Sequence, residues 1–284
     1  MRRCWAVLAA LAFLGACGGD EGAVSARPGV FRFAAVADAG TGEVAQAEVI
    51  EQMCKLRARD PFTDVVQAGD NVYDHGAPEE IDEKFAEPFA CLLDEGTEFH
   101  SVLGNHDIES DGGAAQIADP RFGMPGHNFT WSRGPVSFIM LDTNEPPGPE
   151  VLEWLDDAID AAKDSPWTVA VFHHPPFSPG TKHGSSVELR ELLADRLSEG
   201  GVDLVINGHE HLYARAEVDG VTYVVTGGGG RELTPCADPL LPPHEICRSV
   251  HEFVEFEATE DALRLTAHTS TGATIETHRV PRNP

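Results

Sequence analysis

Five short apolar runs, each followed by a polar cluster with glycine or histidine, constrain the fold of this chain more than any other feature. The runs are rich in β-branched residues, which is typical of buried strands. They are Phe33–Ala37, Asp64–Gln67, Phe99–Leu103, Thr168–Phe172 and Val202–Ile206. Between them, apolar residues recur at helical spacing in Glu43–Arg59, Pro78–Leu93, Pro149–Lys163 and Ser186–Ser198. Strands that alternate with helices predict a largely buried α/β sheet.

Each polar cluster lies at the carboxyl end of its predicted strand, which is the end where α/β proteins bind ligands. In open α/β folds the site lies off the carboxyl ends of the strands, so we expect the five clusters to meet at one place. Two clusters carry the most specific patterns, Gly104–Asp107 (GNHD) and Gly208–His211 (GHEH). Because residues i and i+2 of an extended backbone point to one side, His209 and His211 are expected to face the same site.

The remaining strand-like segments indicate hairpins joined by glycine turns. They are Asn128–Ser132 with Val136–Leu141, Val218–Thr226, and the C-terminal Phe253–Glu257, Leu263–Thr269 and Ala273–Arg279. These segments predict a second, more antiparallel sheet. The sequence shows no internal repeat and no long linker within residues 30–284, so we predict one domain over that range.

Acidic residues outnumber basic ones by 47 to 20 in this chain of 284 residues, which gives a formal net charge of −27. A field of this sign repels phosphate backbones and argues against a nucleic-acid partner. The chain also has 13 histidines, and carboxylates with imidazoles are the usual ligands of transition metals. Composition alone does not separate metal ligands from surface residues, so the positions of particular residues must decide.

The first residues have the pattern of an export signal. A basic start at Met1–Arg3 precedes the uncharged apolar run Cys4–Ala16, which is shorter than the roughly 20 residues of a membrane-spanning helix. The run ends in the sequence LGAC, which resembles the bacterial lipobox with Cys17 as the lipidated residue. We predict a lipoprotein signal peptide over residues 1–16 and a flexible tether over 17–29, with an ordinary secretory signal as the alternative. The protein would be exported to the periplasmic or outer-membrane face and would contact the membrane only through the lipid.

Four cysteines follow Cys17, namely Cys54, Cys91, Cys236 and Cys247. An exported chain meets an oxidising compartment, where an even number of cysteines favours disulfides. Three pairings are possible, and we favour Cys54–Cys91 with Cys236–Cys247, of which the second would close a proline-rich loop. Free buried thiols are the alternative.

The five clusters together resemble the motifs of the calcineurin-like metallophosphoesterases, and within them those of the purple acid phosphatases. The motifs are Asp38-x-Gly40, Gly69-Asp70-x-x-Tyr73, Gly104-Asn105-His106-Asp107, His173-x-Pro175 and Gly208-His209-x-His211. They occur in the family's order over residues from about 31 to 226. The resemblance is to the small, single-domain type, and it implies an α/β fold, a four-layer α-β-β-α sandwich of two mixed sheets.

Two residues indicate purple acid phosphatases rather than other members of the superfamily. Most metallophosphoesterases carry a histidine two residues after the first aspartate, where this chain has Gly40. Tyr73 follows the second aspartate by three residues, as in purple acid phosphatases, in which a tyrosinate binds Fe(III). One departure is Ala37, since the family usually has glycine before the first aspartate.

The resemblance implies a dinuclear metal centre of Fe(III) and a divalent Fe, Zn or Mn ion. It assigns Asp38, Tyr73 and His211 to the ferric ion, Asp70 to the bridge, and Asn105, His173 and His209 to the divalent ion. Coordination chemistry agrees, because a hard ferric ion prefers carboxylate and phenolate oxygens whereas a mixed amide and imidazole set suits the divalent ions. The choice of His173 over the adjacent His174 rests on the His-x-Pro register alone.

Further residues are expected to act beside the metals. The resemblance suggests that His106 contacts the phosphate and protonates the leaving group, and that Asp107 orients its imidazole. His183 lies where small purple acid phosphatases keep an additional histidine, with a solvated loop position as the alternative. Lys182 is a candidate for local attraction of an anionic substrate. The run Gly227–Gly230 is expected to let a strand end pass close to the metal site.

The predicted function is that of a metal-dependent hydrolase that acts on a small phosphoester. The resemblance implies a phosphomonoesterase in which a metal-bound hydroxide attacks in line. No protein nucleophile is needed, and the sequence lacks the Gly-x-Ser-x-Gly elbow of serine hydrolases. Two alternatives stay open: a phosphodiesterase or nucleotidase on the same site, and a non-catalytic, metal-binding surface lipoprotein.

Overall fold

The described part of the chain, residues 29–283 of this computed structural model, contains two β-sheets and the helices that flank them. The predicted signal peptide, Cys17 and all of the predicted tether except its last residue lie outside the described residues. Within residues 29–283, no helix is long and apolar enough to cross a membrane.

The elements follow one another along the chain in a mixed α/β order. The strands are β1 Phe31–Val36, β2 Asp64–Gln67, β3 Glu98–Ser101, β4 Phe129–Arg133, β5 Val136–Met140, β6 Trp167–Val171, β7 Leu204–Asn207, β8 Tyr213–Val218, β9 Val221–Thr226, β10 His244–Arg248, β11 Glu252–Ala258, β12 Leu263–Thr269 and β13 Thr274–Val280. The α-helices are α1 Val44–Arg59, α2 Ala90–Leu93, α3 Ala114–Ala118, α4 Pro149–Ala162 and α5 Val187–Glu199. Short 3₁₀ turns lie at Pro78–Glu80 and Pro120–Phe122, and a π-helical turn lies at Asp82–Ala86.

Both sheets combine parallel and antiparallel strands. The first sheet has the order β13-β12-β11-β1-β2-β3, in which β1, β2 and β3 are parallel. The second has the order β10-β8-β9-β7-β6-β5-β4, in which β5, β6, β7 and β9 are parallel. Helix α1 packs on the first sheet, and α4 and α5 pack on the second. The four-layer α-β-β-α arrangement of two mixed sheets is thereby confirmed.

The allocation of strands to sheets differs from the expected parallel sheet with a separate antiparallel one. Three strands that precede polar clusters, β1, β2 and β3, lie in the first sheet, whereas β6 and β7 lie in the second. The C-terminal strands β11 to β13 extend the first sheet, and the hairpins β4–β5 and β8–β9 extend the second. Strand pairing depends on partners that are distant in sequence, which local periodicity does not identify.

The predicted helix Pro78–Leu93 is wrong as one continuous element. The segment is divided into a 3₁₀ turn, a π-helical turn and the short helix α2. Pro88 lies between the last two, and because proline has no N–H, it removes one donor from the helical hydrogen-bond ladder at that point. The other three predicted helices agree with α1, α4 and α5 to within one residue at each end.

Aromatic side chains fill part of the space between the two sheets. Phe33 of β1 stacks on Phe256 of β11 with ring centroids 4.6 Å apart, and it packs edge-on against Phe138 of β5 at 5.1 Å. Phe138 in turn stacks on Trp131 of β4. Since β1 and β11 belong to one sheet and β4 and β5 to the other, these contacts hold the sheets face to face.

Both favoured disulfides are present, so the predicted pairing is confirmed. Cys54 of α1 is bonded to Cys91 of α2, with Cα atoms 6.2 Å apart. Cys236 is bonded to Cys247 of β10, with Cα atoms 6.0 Å apart. The first disulfide ties a short helix to a long one, and the second ties the segment after β9 to an edge strand.

A buried carboxyl group, that of Glu252, lies at the start of β11. It has no exposed surface, and it accepts hydrogen bonds from the Thr226 hydroxyl and the Gly228 N–H. Burial raises the pKa of Glu252 to about 8, against the lowering effect of those hydrogen bonds. The group therefore stays protonated in the folded protein at pH values where the unfolded chain holds it ionised.

The stability of the wild-type protein is expected to fall between about pH 5 and pH 8, because the unfolded chain releases the Glu252 proton in that range while the folded protein retains it. Glu252→Gln removes the carboxyl group that causes this pH dependence. Glu153→Gln, at an exposed position of α4, is the control, because it removes a carboxyl group that is not buried. The measurement is urea unfolding of the three proteins at both pH values. The loss should be smaller in Glu252→Gln by up to a few kcal/mol, at about 1.4 kcal/mol per unit of pKa shift. An equal loss in all three proteins would contradict this expectation.

Candidate metal centre

The carboxyl ends of the parallel strands from both sheets meet at one edge of the molecule. The Asp38 N–H donates to the Gly69 carbonyl oxygen at 3.0 Å and so links the loops after β1 and β2. The Ala37 N–H donates to the Thr226 carbonyl oxygen at 3.0 Å and so links the first sheet to the end of β9 in the second. The polar clusters therefore converge, as their positions at strand ends predict.

Two glycines permit this close approach of the loops. A Cβ atom at Gly104 would lie 2.1 Å from Oδ1 of Asp70, and one at Gly208 would lie 2.6 Å from Oδ2 of Asp38. Asp38, Asp70 and His209 adopt positive φ angles of 57°, 52° and 70°. Left-handed backbone is uncommon for residues other than glycine, and it concentrates at functional sites.

Tyr73 lies at the centre of an oxygen-rich group of side chains. Its hydroxyl oxygen is 2.9 Å from Oδ1 of Asp38, 2.8 Å from Oδ2 of Asp70 and 3.3 Å from Nε2 of His211. Nδ1 of His211 lies 2.6 Å from the Glu232 carbonyl oxygen, which leaves Nε2 directed at this group. Burial and the two carboxylates raise the pKa of Tyr73 well above its ordinary value, so an ionised phenolate needs a cation in the same group.

His173, Asn105 and His209 form a second group of side chains next to Asp70. His173 is fully buried, and its Nδ1 lies 2.8 Å from the Ala68 carbonyl oxygen. Its Nε2 lies 3.5 Å from Oδ1 of Asp70 and has no hydrogen-bond partner among residues 29–283. Nδ1 of His209 is 3.0 Å from Oδ1 of Asn105, and the rings of His173 and His209 are 5.1 Å apart.

The two groups of side chains fit a pair of metal ions. The carboxylate of Asp70 faces both groups, with Oδ2 toward Tyr73 and Oδ1 toward His173. One ligand atom from each of Asp38, Asp70 and His173 lies within 4.8 Å of the others. The unpaired Nε2 of His173 is a buried polar atom that a cation would satisfy. The oxygen-rich group suits a hard ion, and the imidazole and amide group suits a divalent ion.

The protonation of the imidazoles differs between positions. Burial and neighbouring histidines lower the pKa of His209, and they lower that of His174 to about 3. Burial also opposes protonation of His173, but Asp70 raises its pKa to about 10. Neutral imidazole is the form that binds metals, so a cation at His173 would compete with a proton held there by Asp70.

The two histidines of the GHEH motif reach the centre by a different geometry from the predicted one. Strand β7 ends at Asn207, and the positive φ of His209 shows that the segment is not extended. His209 consequently faces Asn105, whereas His211 faces Tyr73. Both imidazoles face the same centre as expected, but the extended backbone assumed for them is wrong, because a turn directs them to different groups of its side chains.

His106 lies beside Tyr73, with ring centroids 4.6 Å apart and 30% of its side chain exposed. Nδ1 of His106 is 2.6 Å from the Asp74 carbonyl oxygen. Its amide N–H donates to Oδ1 of Asp70 at 3.0 Å. The imidazole is therefore oriented by a backbone carbonyl of the preceding loop.

Asp107 does not orient His106, and the role predicted for it is wrong. Its side chain is fully buried, and the carboxylate binds donors from two loops and from α3 instead. These donors are the backbone N–H groups of Asn71, Val72 and Gly104 and the side-chain amides of Asn71 and Gln116. Adjacent residues of this turn direct their side chains apart, so Asp107 joins the loops after β2 and β3 while His106 remains at the surface of the centre.

The residues predicted at the mouth of the centre lie close to its histidines. The rings of His183 and His209 are 4.3 Å apart, and burial lowers the pKa of His183. Lys182 is exposed next to His183. The ring of His174 lies 4.6 Å from that of His209, and its Nδ1 is 3.0 Å from the Thr143 hydroxyl. His183 therefore lies next to this cluster of imidazoles, at an exposed position of its loop.

Arg231 is a residue at the centre that the sequence motifs do not include. Its guanidinium carbon lies 4.7 Å from the centroid of the Tyr73 ring, and its Nη2 lies 2.7 Å from Oδ1 of Asp74. Arg231 directly follows Gly227–Gly230, and a Cβ atom at the first of these glycines would lie 2.8 Å from Oδ2 of Asp38. The glycine run therefore passes beside the centre as expected, and it is the signal that could have indicated Arg231.

Comparison with known families identifies the class of protein to which this fold and site belong. Residues 31–213 match the model of the calcineurin-like phosphoesterases. Purple acid phosphatase 17 of Arabidopsis thaliana is 28% identical over 241 residues, which cover 71% of this chain and 69% of the relative. Purple acid phosphatase 3 of the same plant is 26% identical over 272 residues, which cover 84% and 74%. The chain belongs to the calcineurin-like phosphoesterase family and is a metallophosphoesterase, a hydrolase of phosphate esters.

Solved structures share the fold at low sequence identity. GAP50, the anchor in the inner membrane complex of Plasmodium, has a TM-score of 0.80 and 19% identity, with 90% of each chain covered. A purple acid phosphatase from yellow lupin seeds has a TM-score of 0.72 and 17% identity, with 89% of this chain and 54% of the lupin chain covered. A dimetal phosphatase from Danio rerio has a TM-score of 0.65 and 16% identity, with 89% and 99% covered.

Proposed function

We propose that this chain is a phosphomonoesterase of the purple acid phosphatase type, with Fe(III) and a divalent ion in a dinuclear centre. Its substrate is a small phosphoester, and no nucleic acid is involved. The names of the relatives in Arabidopsis thaliana support this choice, since they are purple acid phosphatases. The net charge of −27 supports the exclusion of nucleic acid.

The arrangement of Tyr73 and Gly40 carries the proposal. The Tyr73 N–H donates to the Gly40 carbonyl oxygen at 2.7 Å, and the phenol turns toward the carboxylates of Asp38 and Asp70. A Cβ atom at Gly40 would lie 1.9 Å from the Asn71 carbonyl oxygen. With this backbone, no histidine ligand fits at position 40, and the phenol of Tyr73 is the side chain available to the oxygen-rich group.

The donor atoms of the residues would determine which of the two ions each residue binds. Asp38, Tyr73 and His211 would hold Fe(III), Asn105, His173 and His209 would hold the divalent ion, and Asp70 would contact both. When bound, two such cations neutralise phosphoryl charge and activate water. The carbonyl oxygens of Ala68 and Glu232 fix the imidazoles of His173 and His211 through Nδ1, so that Nε2 of each is the donor atom.

In the proposed mechanism, His106 would donate a proton to the leaving oxygen of the ester. The Asp74 carbonyl oxygen engages its Nδ1, which leaves Nε2 as the atom that can exchange a proton with substrate. The hydrogen bond from its amide to Asp70 fixes the residue beside the carboxylate that faces both groups. A general acid contributes most when the leaving group is a strong base.

The purified protein is expected to show the charge-transfer band of a tyrosinate bound to Fe(III). Tyr73→Phe should abolish the band and leave the iron content largely unchanged, because Asp38, Asp70 and His211 remain. The measurement is visible absorption together with metal analysis of the same samples. Tyr223→Phe, which alters a buried tyrosine of β9, is the control and should keep the band. Wild-type protein that is replete with iron but colourless would contradict the proposal.

Substrate preference and the role of His106 can be tested together. The kcat/KM value for 4-nitrophenyl phosphate should exceed that for bis(4-nitrophenyl) phosphate, and the reverse order would assign a phosphodiesterase. His106→Asn should lower kcat for an alkyl phosphate by about 100-fold or more, and for 4-nitrophenyl phosphate by much less, because nitrophenolate leaves without a proton. The exposed His75→Asn is the control. Equal losses on both esters would rule out the proton-donor role.

We also propose that the chain is exported and anchored by a lipid at Cys17, as its N-terminal sequence pattern predicts. The two disulfides among the later cysteines support a site of action in an oxidising compartment. Cys17→Ser should move the full-length protein from the membrane fraction to the soluble fraction of the expressing cells. Retention of the variant in the membrane fraction would count against the anchor.

A further inference from the structure

The segment Pro179–Gly184, which we call the arm, lies beside the histidines of the candidate centre. It contains Lys182 and His183, both of which are exposed, and the ring of His183 is 4.3 Å from that of His209. In a chain with a net charge of −27, Lys182 is a local positive charge beside the candidate centre. The contacts of the arm decide where this charge lies.

The arm has little apolar packing that could hold it in place. Pro179 is its only buried residue, and its two glycines have no side chains. Lys182, His183 and Thr181 are exposed. A short surface segment of this kind opens easily unless its backbone is bonded to other parts of the protein. Two anchors outside the arm provide such bonds.

The first anchor is the carboxylate of Glu210, the middle residue of the GHEH motif. Glu210 is fully buried, and its Oε1 accepts hydrogen bonds from the N–H groups of His183, at 2.6 Å, and Gly184. A Cβ atom at Gly180 would lie 2.3 Å from Cδ of Glu210, so the arm passes directly over the carboxylate. This carboxylate ties the arm to the turn that carries two candidate metal ligands.

The second anchor is the segment Thr234–Ala237, which pairs with the arm in an antiparallel direction. The Thr181 N–H donates to the Pro235 carbonyl oxygen at 3.1 Å, and the Ala237 N–H donates to the Pro179 carbonyl oxygen at 2.8 Å. An isolated antiparallel bridge lies between these two hydrogen bonds. The backbone of the arm is therefore bonded to the Glu210 carboxylate and also to Thr234–Ala237, through two backbone hydrogen bonds that we call the ladder.

The Cys236–Cys247 disulfide fixes the second anchor. It joins the ladder segment to strand β10, and both cysteines pack against an apolar cluster formed by Leu212, Ala214 and Val225. The proline-containing chain from residue 237 to 243 forms no helix or strand. The disulfide is therefore the short covalent route from the ladder to a sheet.

We infer that Glu210 and the Cys236–Cys247 disulfide are positioning elements that hold Lys182 and His183 where the phosphoryl group of the substrate binds. Glu210 acts through the backbone of the arm, and it does not touch substrate. The inference rests on the proposed function, because that function names the group which the arm binds.

Tryptic cleavage after Lys182 reports the position of the arm without any turnover. Cys236→Ser/Cys247→Ser is compared with the matched pair Cys54→Ser/Cys91→Ser, which removes the other disulfide. Both are assayed under conditions in which circular dichroism shows them folded. We expect cleavage after Lys182 to be about tenfold faster in the first variant and unchanged in the second, because only the first frees the ladder. Equal cleavage rates in the two variants would overturn the inference.

Glu210 gives a second test that leaves both disulfides intact. Glu210→Gln keeps one carbonyl oxygen for the amides of His183 and Gly184, whereas Glu210→Ala keeps none. We expect Glu210→Ala to accelerate cleavage after Lys182 about tenfold, and Glu210→Gln to restore most of the protection. Protection of the alanine variant equal to that of wild type would overturn the role of Glu210.

Inorganic phosphate tests the binding role of the arm in the metal-loaded protein. In wild type, phosphate should slow cleavage after Lys182. In Cys236→Ser/Cys247→Ser, KM for a phosphomonoester and the inhibition constant of phosphate should rise about tenfold, with kcat changed less than about threefold. Faster cleavage with unchanged KM and phosphate inhibition would overturn the binding role. If wild type hydrolyses no phosphoester, the proposed function fails, while the cleavage pattern and phosphate protection still decide the inference.

Discussion

The buried carboxylate of Asp38 is the interaction on which the rest of the structure depends. It follows a strand of the first sheet, and its Oδ2 accepts the N–H of His209, from the second sheet, at 2.9 Å. Its Oδ1 lies 2.9 Å from the Tyr73 hydroxyl. The backbone carbonyl oxygen of Asp38 accepts the backbone N–H of Arg231. Because one side chain joins loops of both sheets, the interface between the sheets and the candidate metal centre are the same piece of structure.

Such a concentration of buried acids is unfavourable unless other charges balance it. Burial alone would raise the pKa of Asp70, but the adjacent His173 lowers it below its usual range. In the proposed centre, two bound cations supply the remaining balance. Lys182, which is exposed beside His183, would then act as a local positive charge against the acidic surface of the whole chain. Glu210 and Asp107 serve another purpose, since their carboxylates bind backbone amides and set the positions of loops.

Much of the site could be predicted from the sequence, because each candidate ligand lies within a few residues of a strand end and its chemical type is visible directly. Asp70 and Tyr73 even belong to one short loop. Asp107 shows where this reasoning fails, since its partners lie 36 residues earlier, in the loop after β2, as well as within its own loop. Glu210 was not indicated, because the amides that it binds are 26 and 27 residues away in sequence.

The sequence by itself determined local features of this protein: most of the strands, three of the four predicted helices, the polar clusters at strand ends and the family to which they belong. It favoured the cysteine pairing that the structure contains, but it did not exclude the other pairings or free thiols. Only the tertiary structure decided how the strands divide between two sheets, why His209 and His211 face different groups of side chains, and which carboxylates hold loops rather than act at the centre. The physical reason is the separation along the chain between the residues that interact. Periodicity and ligand chemistry are properties of neighbouring residues, whereas strand pairing and the partners of buried carboxylates depend on contacts between distant parts of the chain.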